Sequence, residues 1–109
     1  DLCAVAEAAG ANYVARWTSF HVKELTAAIR AGIETPGLSF IEVMAQCSTS
    51  FGSKNKMKQV SQMIDMFRTN AVLKGKADRD AAAGIPLAPG KFVVGELVRR
   101  NNPVLGGRP

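Results

Sequence analysis

The chain has 109 residues, of which 47% are hydrophobic and 21% charged, and these values are typical of one folded domain. Fourteen Lys and Arg against nine Asp and Glu give a net charge of +5, which favours acidic partners. Two cysteines and one histidine exclude a disulfide scaffold and a self-contained zinc site. A single Trp and a single Tyr argue against a nucleic-acid-binding surface.

The first predicted element is a short helix from Leu2 to Ala9. Its apolar positions recur every three or four residues, and Gly10 follows where a left-handed residue would end a helix. The run is too short and too interrupted for a signal peptide or a membrane span. Because the chain also starts at Asp1 rather than Met, we expect an internal start, in a soluble cytoplasmic protein that does not contact a membrane.

A strand and a long helix are predicted next. Asn12 to Trp17 contains β-branched and aromatic residues over a strand length. The helix begins at His21 with Ser19 as its N-cap and ends before Pro36 and Gly37. Its predicted core-facing positions recur at helical spacing, and they are Val22, Leu25, Thr26, Ile29 and Ile33.

The run from Leu38 to Ala45 is nearly all apolar, as in a strand that is covered on both faces of a parallel sheet. Strand, helix and strand in this order predict a right-handed βαβ crossover. Sheets of this kind bind ligands beyond the carboxyl ends of their strands. Cys47 follows this strand directly, so it lies where a site is expected.

The second half of the chain has a weaker pattern. A third helix is predicted from Met57 to Ala71, with methionines that suit a core or an interface. Residues 73–90 indicate a linker or loop with about one helical turn. A last strand is predicted from Lys91 to Val98, and a tail from Asn101 to Pro109 that is disordered or bound to a partner. The predicted fold is α/β, a partial doubly wound sheet of about three strands with helices.

Three stretches carry a resemblance to a known enzyme family: AAGANYVAR from Ala8, FIEVMAQC ending at Cys47, and FGSKNKM ending at Met57. The segment that contains them resembles the C-terminal part of the beta subunits of 2-oxoacid:ferredoxin oxidoreductases, most of all in the 2-oxoglutarate branch. The KFVVGELV strand that begins at Lys91 also has a counterpart there. The resemblance therefore covers well over half of the chain in matching order.

The resemblance implies that residues 1–99 are the C-terminal segment of a thiamine-diphosphate-binding α/β domain and that residues 100–109 are a flexible tail. The complete enzyme would decarboxylate a 2-oxoacid, pass electrons through a 4Fe-4S cluster to ferredoxin, and transfer the acyl group to coenzyme A. The implied partners are the alpha subunit, the rest of the beta subunit, and ferredoxin.

In that family, the GDG-type motif that holds thiamine diphosphate and Mg²⁺ lies upstream, as do the first cluster cysteines, and this chain contains neither. The resemblance then assigns one metal ligand to this chain, Cys47, and no catalytic residue. Because a 4Fe-4S cluster takes four thiolates, we expect this segment alone to bind no cofactor. Many relatives have Pro after this cysteine, whereas this chain has Ser48, which changes the expected loop shape.

The same residues have other interpretations. Cys47 is either the cluster ligand, a buried structural residue, or the nucleophile of a thiol-redox protein, which would lack a CxxC partner. The lysines at positions 54, 56 and 58 form either a solvated loop or a docking site. The rival function is therefore a stand-alone basic α/β module that binds an acidic protein or nucleic acid.

Four further residues receive structural predictions. Cys3 is expected in the core, and its pairing with Cys47 has no support in the sequence. His21 is expected to be structural or solvent-facing, because no Ser, Cys or carboxylate accompanies it in sequence. Glu42 lies inside an apolar strand and needs a partner, for which Arg16 is the candidate, either as a structural ion pair or at a subunit interface.

Overall fold

The computed structural model describes residues 1–45 and 60–104, and in the helix that begins at residue 60 it describes side chains from residue 64 onward. In chain order the elements are α1 (Leu2–Ala8), β1 (Tyr13–Thr18), α2 (Val22–Glu34), β2 (Ser39–Met44), α3 (Val60–Asn70), β3 (Ala71–Leu73), α4 (Lys74–Ala82) and β4 (Phe92–Arg99). This is an α/β fold, so the predicted class is confirmed. No helix in the described part of the chain is long and apolar enough to span a membrane.

The described strands form one mixed sheet in the order β2-β1-β4-β3. β1 and β2 are parallel, in a register that runs from Tyr13 opposite Ser39 to Thr18 opposite Met44. β4 lies antiparallel to β1, and the short β3 is parallel to β4. The predicted strand-helix-strand unit is confirmed, but the sheet has one more strand than predicted and is not wholly parallel, as is common among α/β sheets with an antiparallel member.

Successive side chains of a strand point to opposite faces of the sheet. Those of β1 are buried on both faces. On one face, Val14 packs with Cys3 and Ala6 of α1. On the other face, Tyr13 and Ala15 pack with α2. β1 is therefore the strand around which both layers of the core are built.

The two ends of α1 follow from local hydrogen bonding. The Oδ1 atom of Asp1 accepts hydrogen bonds from the backbone N–H groups of Cys3 (3.0 Å) and Ala4 (3.4 Å), which caps the amino end. Gly10 follows the helix with a φ of 97°, in the left-handed region that glycine adopts most easily. The predicted first helix is confirmed and is one residue shorter than expected.

The amino end of α2 differs from the prediction. Its N-cap is His21, not Ser19, and His21 makes no side-chain capping bond. The cause is a tight turn at Thr18, whose Oγ1 accepts from the Phe20 N–H (3.1 Å) and whose carbonyl accepts from the His21 N–H (3.0 Å). This turn keeps the chain out of the helix until residue 22. The carboxyl end, at Thr35 before Pro36 and Gly37, is as predicted.

The side of α2 that packs on the sheet is also not the predicted one. Val22, Ile29 and Ile33 are 66%, 45% and 80% exposed. The buried positions are Ala28 and Gly32, whose small size lets the helix lie close to the sheet. A Cβ atom on Gly32 would lie 3.2 Å from the Cδ1 atom of Ile41. The small residues therefore make the contact, and the large apolar ones are left on another side of the helix.

Residues 74–82 of the segment predicted as a linker form α4, which is longer than the single turn expected there, so that part of the prediction is wrong. Residues 83–90 lie in neither a helix nor a strand, as predicted, and β3 was not predicted. α4 has no buried residue and hence no apolar periodicity to reveal it. Two ion pairs support it, Lys74–Asp78 and Lys76–Asp80. In each pair the two residues are one helical turn apart, and the N–O distance is 2.7 Å. The third helix and the last strand are confirmed with shifted bounds, and residues 57–59 of the predicted helix lie outside the described residues.

Candidate functional site

The candidate site is the edge of the sheet where β1 and β2 both end. Because the two strands are parallel, their carboxyl ends lie side by side, and the Ser19 N–H donates to the Met44 carbonyl at 2.9 Å. Cys47 is two residues beyond Ala45 in the sequence and lies outside the described residues, as do Lys54, Lys56 and Lys58. The structure thus describes the strand ends that precede the predicted ligand, while the ligand itself stays a prediction.

An apolar cavity of about 250 Å³ lies at this edge. It is lined by Met44 and Ala45 at the end of β2 and by Met66 and Phe67 of α3. Phe67 is buried and packs edge-on against Phe92, with ring centroids 6.3 Å apart. The carboxyl end of β2 therefore lies beside a wall of low polarity.

His21 closes the turn between β1 and α2. Its Nδ1 atom lies 2.7 Å from the Oγ1 atom of the buried Thr18. Its ring contacts the rings of Trp17 and Phe20, with centroid distances of 5.2 and 5.3 Å. The guanidinium of Arg68, from α3, lies 5.7 Å from the Phe20 ring centroid and joins α3 to this turn. These contacts give His21 the structural role predicted for it.

Arg16 and Glu42 form the predicted ion pair. They are register partners in β1 and β2, and the Arg16 Nε atom lies 2.7 Å from Glu42 Oε1. Arg16 also donates to Asp1 Oδ1 (2.6 Å) and to the Val93 carbonyl (3.2 Å). The side chains of Arg16 and Glu42 are only 13% and 25% exposed, so removal of Glu42 would leave a largely buried cation paired with the more exposed Asp1. Through these contacts, Arg16 of β1 connects β2, β4 and the N-cap residue of α1.

Cys3 is a core residue, as predicted. It is buried and free, and its Sγ atom lies 4.0 Å from the Ala15 carbonyl oxygen. Burial raises the pKa of the Cys3 thiol above 9.0, with Arg16 acting in the opposite direction. Burial therefore disfavours the thiolate form, which is the form that binds a metal, and Cys3 serves the core instead.

The metal-binding capacity of this part of the chain is limited. Within residues 1–45 and 60–104, no group of three or more His, Cys, Asp or Glu side chains is arranged to hold a metal ion. With Cys3 committed to the core, Cys47 is the one remaining thiol of the chain. A cluster that needs four thiolates would therefore take one ligand from this chain and the others from elsewhere.

A basic groove of about 680 Å³ lies between α2 and the end of β4 with the residues that follow it. Its charged lining residues are Lys23, Arg30 and Glu34 of α2 with Arg99 and Arg100. Arg100 donates to the carbonyls of Ala11 (2.9 Å) and Glu7. The groove could not be predicted from the sequence, because its two sides are far apart in the chain. The one available signal was the spacing of Lys23 and Arg30, which are two helical turns apart and therefore lie on the same side of α2.

Arg99 is held at the rim of this groove. It donates to both carboxylate oxygens of Glu96, at 2.7 and 2.8 Å, and lies 5.3 Å from the Tyr13 ring centroid. Its hydrogen bonds lower the pKa of the Glu96 carboxyl. Burial, and then the charge of Glu96, raise the pKa of the Tyr13 hydroxyl. Because Arg99 already has a bidentate partner, less of its charge is left for a ligand in the groove.

The sequence is similar to three curated proteins, each a 2-oxoglutarate synthase subunit KorB. The subunit from Methanothermobacter thermautotrophicus is 39% identical over 105 residues, or 96% of this chain. Those from Methanothermobacter marburgensis and Methanocaldococcus jannaschii are 37% and 40% identical over 99% and 94% of the chain. The chain spans 36–37% of the length of these relatives and matches their C-terminal part. No family model and no solved structure matches it.

Proposed function

This chain belongs to the beta subunits of 2-oxoacid:ferredoxin oxidoreductases as their C-terminal portion, and we propose on this premise that it provides Cys47 as one ligand of a 4Fe-4S cluster. The complete enzyme would oxidatively decarboxylate 2-oxoglutarate, transfer the acyl group to coenzyme A, and release the electrons to ferredoxin. The observation that carries this proposal is the similarity to KorB subunits over 94–99% of the chain.

Other cofactors and partners of the proposed enzyme lie outside this chain. Thiamine diphosphate and Mg²⁺ would be held by the preceding part of the subunit, and no residue of this chain is assigned to them. The alpha subunit, the rest of the beta subunit and ferredoxin are the proposed partners. This segment alone is expected to be inactive, because it supplies one thiolate of the four that such a cluster takes.

The role of this chain is to position the ligand and to shape its surroundings. When bound, the cluster would carry single electrons between the decarboxylation site and ferredoxin. β2 is fixed against β1 by its parallel register and by the Ser19–Met44 hydrogen bond, so the strand ends at a defined point, Met44, three residues before Cys47. The apolar wall formed by Met44, Ala45, Met66 and Phe67 lowers the local polarity, which is one of the factors that set the reduction potential of such clusters.

An anaerobic absorption spectrum of the complete subunit tests the ligand. The wild type is expected to show a broad iron-sulfur band near about 400 nm that fades in Cys47→Ser. Cys3→Ala is the matched control, because it also removes one thiol but from the core, and it should keep the band. If Cys47→Ser is as coloured as the wild type, Cys47 is not a ligand and this proposal is wrong.

The basic groove supports a second candidate function, the docking of an acidic protein or a nucleic acid. Lys23 and Arg30 present positive charge along one side of α2. Binding of this kind weakens steeply as salt concentration rises, because counterions compete for the charged partner. The absorption of a bound cluster has no such dependence, so a salt series read by both binding and absorption separates the two functions.

A further inference from the structure

The end of α4 and the loop that follows it, residues 81–90, form an exposed segment without charge, which we call the apolar segment. All ten of its residues are exposed. Since 21% of the whole chain is charged, a solvated loop of this length would be expected to contain about two charged residues. Its large apolar side chains, Ile85 and Leu87, are 54% and 48% exposed. A contiguous exposed patch of this kind is typical of a protein contact.

Hydrogen bonds fix the first end of the apolar segment to α4. The Gly84 N–H donates to the Ala81 carbonyl at 3.0 Å, and the Ile85 N–H donates to the Asp80 carbonyl at 2.8 Å. Gly84 has a φ of 78°, in the left-handed region. These are the bonds of a Schellman motif, the common end of a helix in proteins, and they set the direction in which the chain leaves α4.

A second turn fixes the other end of the apolar segment. The Lys91 N–H donates to the Ala88 carbonyl at 3.1 Å, and Gly90 has a φ of 81°. Pro89 followed by a glycine of positive φ is the sequence of a type II turn. Between the two turns, the ring of Pro86 restricts the backbone further. The segment is therefore ordered before a partner binds, which lowers the conformational entropy that binding costs.

An apolar cleft of about 380 Å³ lies between the apolar segment and the sheet. Ile85 and Leu87 line it on one side, with Ala77 of α4 and Val93 of β4 on the other. In a Schellman motif the residue at the position of Ile85 usually packs on an apolar residue of the last helical turn. The residues available there are Arg79 and Asp80, so Ile85 stays half-exposed beside an open cleft.

The apolar segment lies at the edge of the sheet that contains the candidate site. β4 is antiparallel to β1, so its first residue, Phe92, lies where β1 and β2 end. The apolar segment leads into Phe92 through Lys91. β2 and β4 are two strand spacings apart, or about 10 Å. A protein bound to the apolar segment would therefore sit close to the carboxyl end of β2.

A cation flanks the apolar segment on each side. Arg79 precedes it on α4 and is exposed, and Lys91 follows it and donates to the Thr69 carbonyl at 2.7 Å. Neither cation forms an ion pair with a carboxylate in the described part of the chain. An apolar centre with a charged rim is the usual composition of a specific interface. A positive rim is complementary to a protein that carries carboxylates around its own apolar patch.

We propose that the apolar segment is the docking surface for the acidic protein that accepts electrons from the enzyme. The inference rests on the proposed function, because it takes the electron acceptor from that reaction. Each electron would leave the reduced cluster and reduce the docked carrier, so the step needs no other oxidant. Electron carriers make small, transient contacts that bury less than about 1,200 Å². A short rigid segment with one cleft and a positive rim is suited to a contact of that size.

Steady-state reduction of two acceptors by the assembled enzyme tests this surface. Leu87→Asp places a carboxylate at the apolar centre and is expected to lower kcat/KM for an acidic ferredoxin about tenfold, by repulsion and by loss of the apolar contact. The rate with methyl viologen, a small dye that needs no docking surface, should stay nearly unchanged. Asn101→Asp is the matched control, because it adds the same side chain at an exposed position beyond the far end of β4, and it should change neither rate.

Arg79→Gln tests the rim separately from the apolar centre. Because this side chain is exposed and has no ion pair, its replacement should leave the fold intact. It is expected to weaken the dependence of ferredoxin reduction on salt concentration, since rim charges act mainly on the rate of association. An unaltered salt dependence would contradict the positive rim.

Two results would overturn the docking surface as a whole. One is an equal rate of ferredoxin reduction in Leu87→Asp and Asn101→Asp. The other is the loss of a further subunit from the Leu87→Asp enzyme in gel filtration, because the apolar segment would then be part of a permanent subunit interface.

The absorption spectrum of the same preparations separates this inference from the proposed function. A Cys47-dependent iron-sulfur band together with unchanged ferredoxin reduction in Leu87→Asp would overturn the docking surface and leave the ligand assignment standing. A selective loss of ferredoxin reduction in Leu87→Asp, with a band that is unchanged in Cys47→Ser, would support the docking surface and overturn the ligand assignment.

Discussion

Asn12 connects distant parts of the chain through one buried amide group. Its Nδ2 atom donates to the carbonyls of Pro36 (2.9 Å) and Asn102 (3.1 Å), and its Oδ1 atom accepts from the Asn102 N–H (2.9 Å). Its backbone carbonyl accepts from the Arg100 N–H at 2.8 Å. The segment after β4 is thereby fixed to the α2–β2 loop as far as residue 102. The domain boundary predicted at residue 99 stays a prediction.

We expect Asn12→Ala to lower the free energy of unfolding by about 2–3 kcal/mol, because its carbonyl and N–H partners would lose their hydrogen bonds in a buried position. Asn101→Ala, at an exposed position, is the matched control and should change the free energy by less than about 0.5 kcal/mol. Urea denaturation of both variants measures the difference. Equal losses would mean that the amide network contributes nothing specific to stability.

The importance of Asn12 could not be predicted from the sequence, because its main partner, Asn102, is 90 positions away. By contrast, the pairing of Arg16 with Glu42 was predictable, since a carboxylate inside an apolar strand requires a partner and the neighbouring strand offers a single Arg. The sequence therefore identifies residues that are chemically out of place, and it does not identify residues whose role depends on long-range packing.

At the scale of elements, β4 contains an irregularity that depends on a glycine. Val14 pairs with Val98 and Ala15 with Glu96, so Leu97 is an extra residue in the ladder. Gly95, just before the bulge, has a φ of 128°, and a Cβ there would lie 3.3 Å from the Cβ of Lys74. This conformation strains any other residue type.

Gly95→Ala is expected to lower the free energy of unfolding by about 1–2 kcal/mol, from backbone strain and from the contact with α4. Gly75→Ala is the matched control. Gly75 lies in α4, where a Cβ would meet no atom closer than the Arg79 Nη1 at 3.6 Å, so the helix propensity of Ala should stabilise by about 0.5 kcal/mol. Thermal unfolding measures both effects, and a stabilising Gly95→Ala would show that the bulge tolerates a side chain.

The elements that the sequence predicted well share one property, a pattern of burial along the chain. β1 and α2 have it, whereas β3 is three residues long and α4 buries no side chain. The apolar residues of α2 that stay exposed, Val22, Ile29 and Ile33, show the limit of such a pattern. The pattern of α2 predicted a helix correctly and a contact with the sheet wrongly, because such a pattern marks burial against any partner, including one outside the described residues.

At the scale of the whole molecule, the core lies on both faces of β1, and a titratable group is buried on each. Cys3 lies on the α1 face and Tyr13 on the α2 face. Burial is the largest cause of the raised pKa of both groups, whose ordinary values are 9.0 and 10.0. Neither group can ionise readily while both layers of the core stay closed.

The free energy of unfolding is therefore expected to fall as pH rises above about 9. In that range the unfolded chain loses the Cys3 proton and then the Tyr13 proton, while the folded chain retains both. The folded state then binds more protons than the unfolded state. The stability that these two groups contribute is therefore fully present below pH 9.0, and it is lost as pH rises through their raised folded pKa values. In Cys3→Ala the fall should begin later, near the ordinary Tyr13 value of 10.0. Urea midpoints across this pH range measure the fall, and a Cys3→Ala curve that coincides with the wild type would mean that the buried thiol does not contribute to it.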